Sequence, residues 1–197
     1  MNIKIPAIML VRGGSKRLPD KWAKAWGDST LLRHAIQQCE DCEAVSDTWI
    51  GSDDYELSNI ADDQGAFYCH RPEVSDDQTS MDGLAYVLDT IGLQASYVLL
   101  VQCTAPFINP TDLERLILLA LDEPSRDVWA LCKDTRNPRP SGMAWVVPPF
   151  AETLTPTRWV QQDAPDIDID TQSCYDEALR IKAEIDNGNM EANWLQP

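Results

Sequence analysis

Ala7-Ile8-Met9-Leu10-Val11-Arg12-Gly13-Gly14-Ser15-Lys16-Arg17-Leu18-Pro19-Asp20-Lys21 is the stretch from which the rest of the chain is read. An apolar, strand-favouring run stops at paired glycines, which is how an α/β protein brings main-chain N–H groups up to an anion at the carboxyl end of a strand. Gly13 and Gly14 can take positive φ and let a ligand approach where a Cβ would otherwise stand. The same stretch carries four fixed cations, Arg12, Lys16, Arg17 and Lys21, in a chain of formal charge −16. Its spacing is neither that of a Walker loop, which needs Gly-Lys-Ser/Thr, nor the three spaced glycines of a dinucleotide fingerprint. It suits a triphosphate held by basic side chains, and the plainer alternative is a solvated turn between a strand and a helix.

Outward from the loop, strand and helix patterns alternate. Ser29 or Asp28 can cap a helix whose apolar positions are Leu31, Leu32, Ala35 and Ile36. Thr48 to Ser52 reads as a strand, Leu57, Ile60 and Ala61 mark a helix closed by Gly65, and Ala66 to Cys69 forms a third strand. Leu84, Val87, Leu88 and Ile91 fall at helical spacing ahead of Gly92. Ser96 to Gln102 is a nearly continuous apolar run, the signature of a strand covered on both faces. Asn109-Pro110 then opens a helix with its stripe at Leu113, Leu116, Ile117 and Leu121. Val128 to Cys132 and Met143 to Val147 read as strands, Pro148 to Pro165 as an irregular excursion, and Gln172 to Ile185 as a closing helix. This rhythm implies a largely parallel three-layer α/β domain, with ligands beyond the carboxyl ends of the strands.

At 197 residues the chain is long enough for one well-filled core and short for two. The acidic balance excludes a broad phosphate-neutralising surface, so no nucleic-acid partner is expected. The opening residues lack a leader pattern and no apolar run approaches spanning length, which predicts a cytoplasmic protein without a membrane partner. The six scattered cysteines read as buried, reduced thiols. Cys39, Cys42, Cys69 and His70 would supply four zinc ligands in number, but with a single CxxC their spacing is poor for it.

Asp166-Ile167-Asp168-Ile169-Asp170-Thr171 alternates strictly, so an extended strand would turn three carboxylates to one side and the isoleucines to the other. Like charges so close are costly unless a cation neutralises them, and two such carboxylates suit Mg²⁺ that also takes substrate phosphate oxygens. A solvated acidic edge is the alternative. A basic triphosphate loop and a carboxylate pair in one domain together point to phosphoryl or nucleotidyl transfer.

In order and wording these segments resemble the cytidylyltransferases that make CMP-activated sugar acids, the acylneuraminate (CMP-sialic acid) synthetases and, more distantly, the CMP-Kdo synthetases. Ala7 to Lys21 is similar to that family's Ala-Arg-Gly-Gly-Ser-Lys-Arg-x-Pro-x-Lys loop, and Leu100 to Pro106 to its Leu-Leu-Gln-Pro-Thr-Ser-Pro. His70-Arg71-Pro72-Glu73 with Asp77 to Ser80, Arg139 to Trp145, and Ile167 to Thr171 resemble further family motifs. The resemblance implies a three-layer α/β/α Rossmann-like (GT-A-like) nucleotidyltransferase fold with a mostly parallel sheet, residues 1–197 forming one domain. It implies transfer of CMP from CTP to an acidic sugar with release of pyrophosphate. Alternatives are another small anionic acceptor such as a phosphonate, or a catalytically weak nucleotide-binding module.

Carried over by residue, the resemblance assigns catalysis to Arg12, Lys21, Asp168 and Asp170. It places Val11, Arg12, Gly13, Gly14, Ser15, Lys16, Lys21, Arg71, Ser80 and Gln102 around CTP, and Gln102, Arg139, Ser141 and Gly142 around the acceptor. Asp168 and Asp170 would hold Mg²⁺. Departures from the family wording are Trp22 for Asn after the loop lysine, Phe107-Ile108 for Leu-Arg, and Ser141 for Asn. The sialic acid enzymes carry a long dimerisation insertion where this chain has only Lys133 to Pro138. A monomer, or a homodimer without domain swapping, is therefore expected.

Overall fold

The computed structural model describes residues 3–72, 78–136, 138, 140–148 and 151–189. It begins with β1 (Ile5–Val11), in which every residue but Leu10 is buried. A 3-10 turn at Lys21–Ala23 and a hairpin of β2 (Ala25–Trp26) and β3 (Ser29–Thr30) follow, with Gly27 in the left-handed conformation at φ 60°. The hairpin draws Ser29 into its ladder, so the cap of α1 (Leu31–Glu40) is Thr30, one residue later than the sequence pattern suggests. Its Oγ1 accepts from the Arg33 amide at 3.3 Å.

Next come β4 (Val45–Ser52), α2 (Glu56–Gln64) closed by Gly65 at φ 74°, and β5 (Phe67–His70). A Thr79–Asp82 capping box starts α3 (Ser80–Ile91), and Gly92 at φ 63° ends it. β6 (Val98–Val101) precedes α4 (Pro110–Asp122), where the Asp112 amide donates to Asn109 Oδ1 at 2.9 Å. β7 (Trp129–Cys132), β8 (Pro140–Val147), β9 (Arg158–Gln161) and α5 (Gln172–Asp186) complete the chain.

Among the described residues the main sheet has the order β5-β4-β1-β6-β8-β7-β9. β4, β5 and β6 run parallel to β1 and β9 runs parallel to β7, while β8 is antiparallel to both β6 and β7. The carboxyl ends of the parallel strands therefore share one rim with the start of β8. The expected three-layer α/β architecture is what forms. The excursion expected from Pro148 to Pro165 in fact contains β9, and the acidic alternation at 166–171 is not a strand. Ile169 is buried and its amide donates to the Thr104 carbonyl at 2.8 Å, whereas Ile167 is only partly buried.

Alternate residues of each strand feed two cores. Ala7, Met9 and Val11 pack with Leu99 and Val101 against α1, α2, α4 and α5. Ile8 packs with Val98 and Leu100 against Leu84 and Val87 of α3. That helix lies tight on the sheet because Gly51 and Gly83 have no side chain: a Cβ on Gly51 would stand 2.5 Å from Val87 Cγ2, and one on Gly83 3.1 Å from Leu10 Cδ1. Cys39 and Cys42 belong to the first core and Cys69 to the second, so the sheet separates the CxxC pair from Cys69, three of the four groups that might have been read as zinc ligands. Burial pushes the Cys103 thiol up to about 11.

Candidate active site

β1 delivers its loop to the rim. Arg12 follows the last strand residue, buried Leu18 ties the middle of the loop into the core, and Asp20 turns the chain in the left-handed region (φ 49°, ψ 38°) before Lys21. Asp is among the few side chains that tolerate this conformation. The result is a cleft of about 410 Å³ whose loop wall consists of Val11, Arg12, Ser15, Lys16, Arg17 and Lys21. Gln102, Cys103 and Thr104, just past β6, form the floor, and Trp22 and Asp170 complete it. Four cations thus face a single carboxylate among the lining residues, against the sign of the whole chain.

That carboxylate is already engaged. Lys21 Nζ donates to Asp170 Oδ1 at 3.1 Å and Arg17 Nη2 lies 2.9 Å from Oδ2, a pairing across 149 positions of sequence for Lys21. Asp168 stands next to this pair. Desolvation holds its carboxyl above the usual carboxylate range; a hydrogen bond from the Thr104 side chain opposes this, the Asp170 charge adds to it, and Lys21 and Arg17 oppose it. Asp166 is raised too, by desolvation first, with Lys133 acting against it and Asp168 with it. The acidic row therefore has basic groups at both ends, Lys21 and Arg17 at one and Lys133 at the other.

The glycines do something other than expected. Neither takes positive φ; among the described residues the glycines that do are Gly27, Gly65, Gly92 and Gly188. Gly13 is needed for space, because a Cβ there would meet Asp54 Cβ at 2.8 Å, while Gly14 has nothing near that position. The Gly13 amide donates to Asp53 Oδ1 at 2.8 Å. Both glycines line a separate open depression with Asp53, Asp54, Tyr55 and Glu56. Cationic side chains, not glycine amides, make the wall of the main cleft.

Arg71 is a strut. It is 7% exposed, its Nε donates to the Gly51 carbonyl at 3.1 Å and its Nη2 to the Val11 carbonyl at 3.3 Å, which ties the end of β1 to β4. Burial lowers its pKa; Asp53 raises it and nearby Arg12 lowers it further. Ser80 begins α3 on an exposed face and is not part of the cleft wall. Ser141 and Gly142 lie in β8, and Arg139 lies outside the described residues. Lining residues outside the assignment carried over by resemblance are Leu10, Arg17, Trp22, Cys103 and Thr104, of which Arg17 already stood among the four loop cations read from the sequence. Cys103 and Thr104 could have been found from their place after the most apolar strand.

The fold is of the three-layer α/β/α class, with a cationic loop after an inner strand and the Asp170 carboxylate paired to that loop at the carboxyl rim. Comparison with known sequences narrows the class: the chain belongs to the cytidylyltransferase family, whose model matches residues 6–140. It is 31% identical over 121 residues to an N-acylneuraminate cytidylyltransferase of Escherichia coli O18:K1:H7, covering 60% of this chain and 29% of that protein. With N-acylneuraminate cytidylyltransferase A of Danio rerio it shares 30% over 122 residues, covering 58% of this chain and 27% of that one. The chain thus spans less than a third of the length of these curated relatives. Its fold matches that of a CMP:2-keto-3-deoxy-manno-octonic acid synthetase solved with CTP, at a TM-score of 0.73 and 18% identity over 92% of this chain and 99% of the other. The family match ends before the Asp166 to Asp170 row, so the placement of those carboxylates opposite the loop is a finding of the structure. Among the described residues no helix is long and apolar enough to cross a membrane.

Proposed function

We propose that this protein transfers CMP from CTP to an acidic sugar of the sialic acid or Kdo class and releases pyrophosphate. The observation that carries the reading is the cleft itself, in which four cations gathered at the end of β1 face Asp170 in a family member. The triphosphate lies along Arg12, Lys16, Arg17 and Lys21. To reach it, Arg17 and Lys21 exchange Asp170 for phosphate oxygens, and charge-assisted contacts of this kind are the strong ones. An acceptor hydroxyl attacks the α-phosphorus in line; its bond to phosphorus forms as the bond to the β-phosphate oxygen breaks, and the hydroxyl proton is lost. The cations offset charge gathering on the departing pyrophosphate.

Asp168 and Asp170 are the residues that would hold Mg²⁺. Among the described residues no group of three or more His, Cys, Asp or Glu side chains could hold a metal by themselves. Two carboxylates beside a triphosphate site fit this ion, which binds through one or two carboxylates and completes its shell with phosphates and water. Bound there, it would supply charge neutralisation of the phosphates. Gln102, on the floor of the cleft, and Ser141 and Gly142, at the start of β8, belong to the acceptor side in this reading, as does Arg139 of the same motif, which lies outside the described residues.

Pyrophosphate release measured with each of the four NTPs and Mg²⁺, against a panel of sialic-type acids, Kdo and phosphonates, tests the proposal. Turnover is expected with CTP and a sugar acid. Turnover with GTP and none with CTP sinks the base assignment, and turnover with phosphonates alone sinks the acceptor class.

A further inference from the structure

The segment that carries Asp166, Asp168 and Asp170 leaves β9 without joining another strand. Its backbone is anchored at the start by the Gln162 amide on the Cys132 carbonyl at 2.9 Å, and near the end by the Ile169 amide on Thr104. Asp166 and Asp168 lie between those points and Asp170 just beyond the second, and neighbouring carboxylates of this row repel one another, so another restraint helps to hold them in one arrangement. It comes from β7. Lys133, the residue after that strand, extends its ammonium to the Asp163 carbonyl at 2.9 Å and the Ala164 carbonyl at 3.1 Å. Gln162 adds a longer contact to Ala164 at 3.3 Å, and Arg115 of α4 donates to the Gln161 carbonyl. Ala164 is fully buried, so its carbonyl has little access to water as a substitute partner. Lys133 is outside the cleft wall and touches none of its lining residues in these contacts.

We propose that Lys133 is a positioning residue for nucleotidyl transfer: by clamping the main chain at Asp163 and Ala164 it fixes where Asp168 and Asp170 stand relative to the Arg17–Lys21 wall. This rests on the reading of Asp168 and Asp170 as the cation-binding carboxylates of a CTP-dependent transferase. An ammonium suits the task because it can donate to two carbonyls at once and still present charge toward Asp166.

The test compares Lys133→Met and Lys133→Arg with the unaltered protein and with Asp170→Asn. Mn²⁺ is titrated in the presence of CTP without acceptor, free Mn²⁺ being read by electron paramagnetic resonance, alongside steady-state kinetics and amide exchange over residues 163–170. Lys133→Met should weaken Mn²⁺ binding about tenfold, as loss of an outer-shell support does. It should lower kcat by a similar factor, leave KM for CTP within about twofold and speed exchange of the Ile169 amide. Lys133→Arg should restore most of the lost Mn²⁺ affinity, a result that a general loss of stability in the methionine variant would not produce. The proposal is overturned if Lys133→Met matches the unaltered protein in Mn²⁺ affinity and kcat while Asp170→Asn loses both. If Asp170→Asn also binds Mn²⁺ normally, the underlying assignment of the carboxylates fails, and this proposal with it.

Discussion

Replacing Asp170 by Asn separates chemistry from architecture at the point where the two halves of the cleft meet. The carboxylate is about one-third exposed, at 33%, and pairs with Lys21 at 27% and Arg17 at 68% exposure. Pairs so open to water contribute about 0.5 kcal/mol each, so the fold should lose about 1 kcal/mol in all. For a chain of this length that lowers Tm by about 2–4 °C. Catalysis should suffer far more, because one member of a preorganised electrostatic site is worth about 10²–10³ in kcat. Affinity for CTP without divalent cation should hold or improve, since Arg17 and Lys21 no longer have an internal partner to give up. Calorimetry for Tm, pyrophosphate release for kcat and CTP titration for affinity give the three readings. A kcat within about threefold of the unaltered protein refutes the reasoning, and so does a fall in Tm beyond about 10 °C, which would make Asp170 a pillar of the fold.

Two further expectations concern stability. Burial lowers the pKa of His34, with the contact to the Pro106 carbonyl at 3.0 Å opposing and Lys182 assisting. The folded state therefore prefers the neutral ring, and stability falls as pH drops below the unfolded value of about 6.5; Tm measured from pH 7.5 to 5.5 should show this slope, and His34→Gln should flatten it. Gly51→Ala forces a Cβ to within 2.5 Å of Val87 Cγ2, and overpacking of that kind costs about 1–3 kcal/mol. A denaturant midpoint unchanged by Gly51→Ala would show that α3 has more room than its contacts indicate.

Periodicity in sequence reveals what is local. The alternation of strand runs with helical stripes placed β1, β4 to β7, β8 and the helices within a few residues, because each buries a face that its own pattern defines. β9 was hidden because its partner, β7, is contributed from 25 or more residues away and its own residues alternate weakly. The two-residue strands of the hairpin left even less signal, and their pairing moved a helix cap from Ser29 to Thr30. Alternation at 166–171 did resemble a strand, yet among the described residues the segment joins no strand, and Ile169 is instead pinned by Thr104. In the site, charge was legible and geometry was not. Residue type alone marked Arg12, Lys21 and Asp170, but whether Gly13 serves φ or space depends on Asp54, 41 positions away.

Arg71 bears on how this protein should be dissected. A survey that trims each basic residue of the rim to alanine would be expected to rank residues by their grip on the nucleotide. Arg71 would score among the most damaging, yet for another cause: without its guanidinium the Val11 and Gly51 carbonyls lose their buried donor and the strand ends lose their common brace. Such a loss reaches every ligand alike, because it shifts the ground on which the loop stands. A lysine there cannot reproduce a donor fork aimed at two strands, so the conservative exchange would fail almost as badly. In the proposed reading the residues that line the cleft set specificity, and Arg71 is the masonry that keeps them in place.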